Sequence, residues 1–218
     1  MQEVVMQVAV LGTGAVGRAI APALAQLGHV VRLGTRDPAA TQARDGWTEL
    51  PGVPLVTFAE AVADADLVVH AGNGVAALEL LGQAGDLTGT VLLDVSNPLD
   101  FSAGFPPTLT VKDTDSLGEQ LQRAFPDTRV VKSLNTLTAE LMVHPDRLPE
   151  PTTVFVSGDD ADAKRLVTGL LTQLGHRDVI DLGGIETARG TEMWLPLWLR
   201  LMGTLGTAEF NLKVVRPS

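Results

Sequence analysis

The sequence predicts a doubly wound α/β fold, in which a mainly parallel sheet lies between two layers of helices and a helical extension follows at the C-terminus. Short β-branched runs alternate with Ala- and Leu-rich helical patterns over most of the chain, which is typical of βαβ units. From about Gly183 this alternation gives way to a continuous apolar helical region. A chain of 218 residues can bury one substantial core. We therefore expect one domain at 1–182 and an appendage at 183–218.

The predicted elements follow one another along the chain in regular alternation. Apolar runs predict strands at about 4–11, 30–34, 53–56, 66–70, 90–95, 129–133, 152–157 and 178–182. The patterns between them predict helices at about 15–27, 38–44, 58–63, 74–84, 116–124, 136–142 and 160–174. The segment SNPLDFSAGFPPTLT (96–110) contains three prolines and two aromatic residues. It predicts a long loop after the fifth strand, where such sheets often carry functional residues.

Composition excludes several classes of function. The 26 Asp and Glu residues outnumber the 16 Lys and Arg residues, and the net charge of -10 repels nucleic acid and anionic membranes. The absence of cysteine removes disulfides, thiolate nucleophiles and Cys-ligated metal sites. The start of the chain lacks signal-peptide features, and the apolar run at 193–203 is much shorter than the roughly 20 residues that cross a bilayer. We expect a cytoplasmic protein without a metal site and without nucleic-acid or membrane partners.

The first strand leads into a glycine-rich turn with the spacing G-x-G-x-x-G, followed by a predicted helix. In a Rossmann-type fold the first glycine permits the tight turn, the second lets a pyrophosphate approach the backbone, and the third lets the helix pack against the strand. The free N–H groups at the helix start then bind phosphate. The cofactor-binding candidates in this turn are Gly12, Thr13, Gly14, Ala15, Val16 and Gly17. The alternative is a turn that closes the strand against the helix and binds no ligand.

The end of the second strand indicates which dinucleotide binds. An NAD-selective site places Asp or Glu about 20 residues after the first glycines, whereas this chain has Thr35 and Arg36 there. A hydroxyl and a guanidinium suit the 2′-phosphate of NADP, because Arg forms charge-assisted, fork-shaped contacts. The sequence therefore favours NADP(H). The alternative is that Arg36 pairs with Asp37 or another surface carboxylate, in which case NAD would bind nearly as well.

Three further segments, 70–74, 96–98 and 133–136, should meet at the carboxyl edge of the sheet, where ligands of such folds bind. Ser133 and Thr136 add hydroxyl groups there. The cofactor-binding candidates are His70, Ala71, Gly72, Asn73, Ser96, Asn97, Pro98 and Asn135. Most of these side chains are neutral groups that orient a ligand and do not transfer protons.

The sequence alone assigns no catalytic residue. His70 is the titratable side chain clearly at this edge and the one candidate for acid–base catalysis, although a histidine at a strand end more often hydrogen-bonds the backbone or the cofactor. Lys132 ends a predicted strand and is interpreted as structural, and the chain has no tyrosine. The lack of an evident acid–base pair fits hydride transfer to an acceptor that is already electrophilic.

Four segments carry a resemblance to a known family. They are VAVLGTGAVGRAIAPALAQLGHVVRLGTRDP, RVVKSLNT, VSGDD and WLRLMGTLGTAEFNLKVVR. Over nearly its whole length the chain resembles the NADPH-dependent reductases of the deazaflavin coenzyme F420. The resemblance implies direct hydride transfer between NADP(H) and the deazaflavin, with the two rings stacked in a cleft beside the C-terminal region. It also implies that residues 13–16, Thr35 and Arg36 bind NADP.

The sequence departs from this family in two places. The family carries further basic residues just beyond the arginine of the 2′-phosphate site, whereas this chain has Asp37 and nothing basic until Arg44. Archaeal members carry an apolar turn with Pro and Trp after the fourth strand, whereas this chain has HAGNG (70–74). The second departure changes residues that would shape the acceptor pocket.

We therefore expect an NADP(H)-dependent oxidoreductase with a deazaflavin-type acceptor. The alternatives are an NADPH-dependent reductase of a flavin, quinone or imine, and a non-catalytic NADP-binding regulator. Trp194 and Trp198 lie four residues apart, and Leu197 and Leu201 continue the apolar stripe. Either the core or a second subunit covers this face. The resemblance favours a homodimer, because related reductases pair through this region.

Overall fold

A computed structural model describes residues 5–217, and its main feature is an eight-stranded sheet with helices on both faces. The strands are β1 (Gln7–Leu11), β2 (Val30–Thr35), β3 (Leu55–Thr57), β4 (Leu67–His70), β5 (Val91–Asp94), β6 (Leu99–Asp100), β7 (Thr108–Leu109), β8 (Arg129–Ser133), β9 (Thr153–Ser157) and β10 (Asp178–Gly183). The helices are α1 (Ala15–Gln26), α2 (Pro38–Gln42), α3 (Phe58–Val62), α4 (Ala77–Ala84), α5 (Leu117–Ala124), α6 (Ala139–Val143), α7 (Ala161–Gln173), α8 (Ala188–Met193) and α9 (Leu195–Leu205).

The strand order is β10-β9-β8-β5-β4-β1-β2-β3. The strands from β8 to β3 are parallel, β9 runs antiparallel to β8, and β10 is parallel to β9. β6 and β7 form a separate two-stranded hairpin. This arrangement confirms the predicted doubly wound, mainly parallel α/β fold.

Two apolar clusters lie on opposite faces of the sheet. One joins Leu24 of α1 and Leu171 of α7 to inward-facing strand residues. The other joins Leu81 of α4 and Leu121 of α5 to the strand side chains that point to the opposite face of the sheet. The central strands are buried on both faces, which explains why their sequences are nearly continuous apolar runs. The covered faces leave the edge of the sheet as the place where a ligand can bind.

The strand register places three polar side chains in one row. His70 pairs with Asp94 across β4 and β5, and Asp94 pairs with Lys132 across β5 and β8. Each of the three residues comes at or near the carboxyl end of its strand. Parallel in-register strands therefore bring together residues that are far apart in the sequence.

The predicted elements differ from the structure in a few places. The segment 96–110 was expected to be a loop, but it contains the β6–β7 hairpin. The helix expected at 136–142 begins only at Ala139, and the helix expected at 74–84 is a 3-10 turn (Gly74–Ala76) followed by α4. Residues 1–4 and 218 lie outside the described residues. Residue 4 belongs to the predicted first strand, residues 1–4 to the predicted domain at 1–182, and residue 218 to the predicted appendage at 183–218.

The C-terminal region is helical, but it is not one continuous helix. A 3-10 turn (Ile185–Thr187) precedes α8 and α9, and a chain without regular structure follows. This last segment returns to the sheet, where Leu212 O accepts a hydrogen bond from Thr153 N at the start of β9 (2.9 Å). Phe210 stacks on Trp198 with a ring-centroid distance of 5.2 Å.

Candidate functional site

The glycine-rich turn between β1 and α1 has two closed positions and one open position. Gly12 has a φ of +126°, and a Cβ there would lie 2.6 Å from Ala71 O. A Cβ at Gly17 would lie 1.9 Å from Gly12 O. A Cβ at Gly14, in contrast, would meet no protein atom within 4 Å. The fold itself explains Gly12 and Gly17, whereas Gly14 leaves free space over the backbone, as a pyrophosphate requires.

The start of α1 carries no side-chain cap, because its N-cap residue is Gly14. The first backbone N–H groups of a helix lack partners within the helix. Thr13, Ala15 and Val16 lie beside them and are partly or fully exposed. The turn therefore offers uncapped donors and the positive end of a helix dipole, which together fit the phosphates of a dinucleotide.

Thr35 and Arg36, the expected 2′-phosphate residues, have different surroundings. Thr35 is nearly buried at the end of β2, and its hydroxyl lies 2.8 Å from the hydroxyl of Thr41. Arg36 is exposed and pairs with Glu79 of α4 at 3.1 Å. The alternative pairing with a surface carboxylate is thus present, but Asp37 is not the partner, because Asp37 caps α2 by accepting from Ala40 N.

Arg44 is a candidate that the sequence interpretation did not include in the site. Its guanidinium donates to the hydroxyl of Thr13 in the glycine-rich turn (3.2 Å). Nearby, the Arg18 guanidinium lies 4.7 Å from the ring centroid of Trp47. The chain after α2 therefore folds back over the phosphate turn. Arg44 supplies there the positive charge that the sequence lacks immediately after Arg36.

Asn97 and Asn135 form the centre of the candidate site at the neighbouring strand ends. Asn97 Nδ2 donates to Asn135 O (2.7 Å), and Asn135 Nδ2 donates to Asn97 Oδ1 (2.9 Å). The turn after β4 packs against them, since a Cβ at Gly74 would lie 2.1 Å from Asn97 O. Asn73 accepts from Val75 N and so fixes that turn. The structure thus brings together the three predicted segments.

The remaining edge candidates contribute mainly backbone or packing. Ala71 and Gly72 continue β4 beside Gly12. Pro98 O accepts from Thr110 N (2.8 Å) and ties the hairpin to the edge. The Ser133 hydroxyl donates to Phe155 O, and Thr136 is buried.

His70, the candidate for acid–base catalysis, is completely buried. Its Nδ1 donates to Asp94 Oδ1 (2.9 Å), and Asp94 Oδ1 also accepts from the hydroxyl of Ser96 (2.8 Å). The other ring nitrogen has no hydrogen-bond partner among the described residues. Because the ring has no exposed surface, His70 supports the strand ends from beneath and does not face a substrate.

Lys132 is the centre of this buried cluster. Its ammonium group lies 2.7 Å from Asp94 Oδ2 and 2.9 Å from Glu192 Oε1, and it donates to Ser96 O (2.7 Å). Glu192 also accepts from the backbone N–H groups of Leu117 and Gly118 at the start of α5. Lys132 therefore joins β5, β8, α5 and α8. This position agrees with the interpretation of Lys132 as a structural residue.

The pKa values of Asp94 and Lys132 favour the charged forms of these two side chains. Burial alone would raise the pKa of the Asp94 carboxyl, but Lys132 and the hydrogen bond from His70 outweigh burial and hold the pKa well below its usual value. Burial would likewise lower the pKa of the Lys132 ammonium group, but Asp94 and Glu192 raise it above its usual value. Asp94 and Lys132 therefore form a buried ion pair, and both keep their charges near neutral pH.

Within residues 5–217, no group of three His, Cys, Asp or Glu side chains is placed to hold a metal ion. In the same part of the chain, no helix is long and apolar enough to cross a membrane. The cytoplasmic location and the absence of a nucleic-acid partner stay predictions.

Comparison with known proteins identifies the family. The family described as NADP oxidoreductase coenzyme F420-dependent matches residues 7–98. The F420-dependent NADP reductase of Methanothermobacter marburgensis is 30% identical over 207 residues, which cover 90% of this chain and 92% of that protein. This chain belongs to the F420-dependent NADP oxidoreductase family. It is therefore an NADP-dependent oxidoreductase, and NADP(H) is its cofactor.

Two further proteins are similar to this chain. A crystal structure of a candidate F420-dependent NADP reductase from Arthrobacter sp. FB24 is 56% identical and superposes with a TM-score of 0.95, covering 97% of this chain and 100% of that one. The metalloreductase STEAP3 of Rattus norvegicus is 29% identical over 88% of this chain, which spans only 38% of the length of STEAP3. Proteins similar to this chain are thus named for different acceptors.

Proposed function

We propose that this family member transfers a hydride between NADP(H) and a deazaflavin such as coenzyme F420. The observation that supports this most directly is the chemistry of the sheet edge. The side chains that meet there are amides, Asn97 and Asn135, whereas the charged groups beneath them are buried and bonded to one another. Such an edge can position two ring systems for direct hydride transfer, and the proton that completes reduction of the acceptor ring comes from water.

The cofactor-binding residues belong to the same proposal. The open face of Gly14 and the uncapped start of α1 receive the pyrophosphate, and Arg36 and Arg44 attract the 2′-phosphate. Residues 71–73 and 96–98, with Asn135, line the nicotinamide end. When bound, NADPH supplies the hydride. The chain orients it through the asparagine pair, and the ion network of Lys132 keeps that pair in place.

The two regions have separate roles in this proposal. Residues 1–182 bind NADP(H), and residues 183–218 form the acceptor side and the contact of a homodimer. The support for the dimer is a set of exposed apolar side chains on α8 and α9, with Leu197 49% exposed and Met193 38% exposed. A face of this kind is stabilised when a second copy covers it.

The acceptor is tested by mixing the protein with NADPH and, separately, coenzyme F420, FMN, a quinone, a cyclic imine and an iron(III) chelate. We expect coenzyme F420 to be reduced fastest, and with NADPH deuterated at the nicotinamide C4 the deuterium should be found in the reduced ring by mass spectrometry. The Gly14→Val variant is the control, because it should fold and fail to bind NADPH. Preferred reduction of another acceptor would overturn the deazaflavin assignment, and NADPH binding without oxidation of any acceptor would indicate a regulator.

The dimer is tested by light scattering at micromolar concentration. We expect a dimer for the unmodified protein and a monomer for Leu197→Glu. The matched control is Val30→Glu, which alters a similarly exposed apolar residue on β2 and should leave the dimer intact. A monomeric unmodified protein would overturn the proposed assembly.

A further inference from the structure

The segment that follows α2, residues 43–54, is tied to the first turn of α1 by one side chain. The Arg18 guanidinium donates to Thr48 O (2.9 Å) and to the Thr48 hydroxyl (2.6 Å). The same guanidinium lies 4.7 Å from the ring centroid of Trp47. A single planar group therefore holds two adjacent residues of the segment, by a fork of hydrogen bonds and by stacking on the indole.

The start of this segment is an exposed turn that carries Arg44. Residues 42–46 are all exposed, whereas Trp47 and Leu50 pack partly against the apolar cluster that includes α1. The turn is closed by a hydrogen bond from Trp47 N to Arg44 O (3.0 Å). The backbone of Arg44 is thus joined directly to the residue on which Arg18 stacks, and the place of Arg44 depends on that residue.

The two arginines have different partners at this end of the molecule. The Arg44 guanidinium donates to the hydroxyl of Thr13 in the glycine-rich turn (3.2 Å), and within residues 5–217 it forms no ion pair. A neutral hydroxyl is a weaker partner than a phosphate oxygen, so an incoming phosphate can replace it. In the same part of the chain the Arg18 guanidinium donates to Thr48 alone. Arg44 is therefore free to meet a nucleotide, whereas Arg18 is occupied by the segment.

We propose that Arg18 is a positioning residue for NADP(H): it holds Trp47 and Thr48 in place, and this fixes Arg44 over the glycine-rich turn before the nucleotide binds. The inference rests on the proposed contact between Arg44 and the 2′-phosphate. A side chain that is already ordered in its bound geometry loses little conformational freedom on binding. Arg18 thereby raises the preference for NADP(H) over NAD(H) without touching either nucleotide.

The test measures nucleotide binding by calorimetric titration with NADPH and with NADH, at one ionic strength and without a hydride acceptor. Arg18→Gln should weaken NADPH binding roughly threefold to tenfold, which is the cost of ordering one or two mobile side chains. NADH binding should stay nearly unchanged, which also shows that the variant is folded. Unchanged NADPH binding, or equal losses for the two nucleotides, would overturn the proposal.

Two more variants separate positioning from simple charge attraction. Arg18→Lys keeps the positive charge but lacks the planar fork, so it should lose nearly as much NADPH affinity as Arg18→Gln. Full NADPH affinity in Arg18→Lys would mean that only the charge matters. The matched control is Arg129→Gln, because Arg129 is also half-buried and donates to a backbone carbonyl, Gly89 O (2.6 Å), but lies at the start of β8. It should change neither affinity, and a loss of NADPH affinity as large as that in Arg18→Gln would overturn the positioning role.

A double-variant cycle distinguishes this inference from the proposal on which it rests. Arg44→Gln should weaken NADPH binding roughly tenfold, as expected for loss of a charge-assisted contact, and leave NADH binding nearly unchanged. If Arg18 acts through Arg44, the double variant should bind NADPH no more weakly than Arg44→Gln alone. Additive losses would overturn the positioning role and leave the proposed phosphate contact of Arg44 intact. Full NADPH affinity in Arg44→Gln would overturn that contact and the inference together, and hydride transfer to the acceptor would stand apart from both results.

Discussion

Lys132 and Arg36 each meet a carboxylate, but they do so in contrasting surroundings. Lys132 is fully buried and lies 2.7 Å from Asp94 and 2.9 Å from Glu192. Arg36 lies 3.1 Å from Glu79, and the two side chains are 67% and 65% exposed. In the interior, loss of one partner leaves a charge without compensation and without water. At the surface, water replaces the lost partner, so the pair contributes at most about 1 kcal/mol.

This contrast separates the residues that stabilise the fold around the site from the residues that can bind a ligand. The buried network holds four elements together and cannot release a partner to bind a ligand. The exposed pair can be broken by a competing anion, because Glu79 is held only weakly. Arg36 is therefore available to a phosphate even though it has a partner in the structure.

The largest expected effect concerns the interior. Lys132→Met would leave Asp94 and Glu192 buried without a cation, and we expect the free energy of unfolding to fall by about 3–5 kcal/mol. Urea denaturation measures this loss. Lys213→Met, which removes an exposed cation paired with Glu150, should leave the free energy of unfolding nearly unchanged, because water replaces the lost partner.

The triple variant Asp94→Asn, Lys132→Met and Glu192→Gln sharpens this prediction. It removes all three charges together, so most of the stability lost in the single variant should return. A single variant as stable as the unmodified protein would mean that the network does not hold the fold, and the contrast with Arg36 would disappear.

A smaller effect is expected at the surface. Arg36→Ala should weaken NADPH binding by about 1–3 kcal/mol through loss of a charge-assisted contact, and it should leave NADH binding and protein stability nearly unchanged. Calorimetric titration with both nucleotides measures the difference. Arg165→Ala, which changes an exposed cation on α7, is the control. Equal losses for both nucleotides would rule out 2′-phosphate recognition by Arg36.

The smallest effect should have the opposite sign. Glu79→Gln removes the carboxylate that competes for Arg36, so NADPH should bind more tightly by up to about 1 kcal/mol. NADH affinity should not change. Glu140→Gln makes the same change in net charge on α6 and should have no effect. Unchanged or weaker NADPH binding in Glu79→Gln would show that this pair does not compete with the ligand.

Much of the fold followed from local patterns in the sequence. The bounds of β2, β4 and β8 lie within one residue of the predicted ones, because buried parallel strands are short apolar runs with clear ends. One part of the glycine spacing also has a local physical cause, since Gly17 approaches Gly12 within the same turn, whereas the close approach of Gly12 is to Ala71 after β4. The β6–β7 hairpin was missed because strands of two residues give almost no periodic signal.

The contacts of the candidate site were harder to predict. Arg44 reaches Thr13 across 31 residues, and Arg36 reaches Glu79 across 43. Such pairs depend on how a loop or a neighbouring helix packs, and no local pattern encodes that packing. Lys132 was interpreted as structural from its place in a strand. Its partners became visible only through the strand register and the position of α8.

The positions of the aromatic residues have a practical spectroscopic consequence. The chain has three tryptophans and no tyrosine, so its intrinsic fluorescence comes from indole alone. Trp47 lies under Arg18 near the phosphate turn, whereas Trp198 lies against Phe210 in the C-terminal region. A variant with Phe at 194 and 198 would emit only from the nucleotide end, and a variant with Phe at 47 would emit only from the C-terminal region. The two ends of the molecule can therefore be observed separately without an added label.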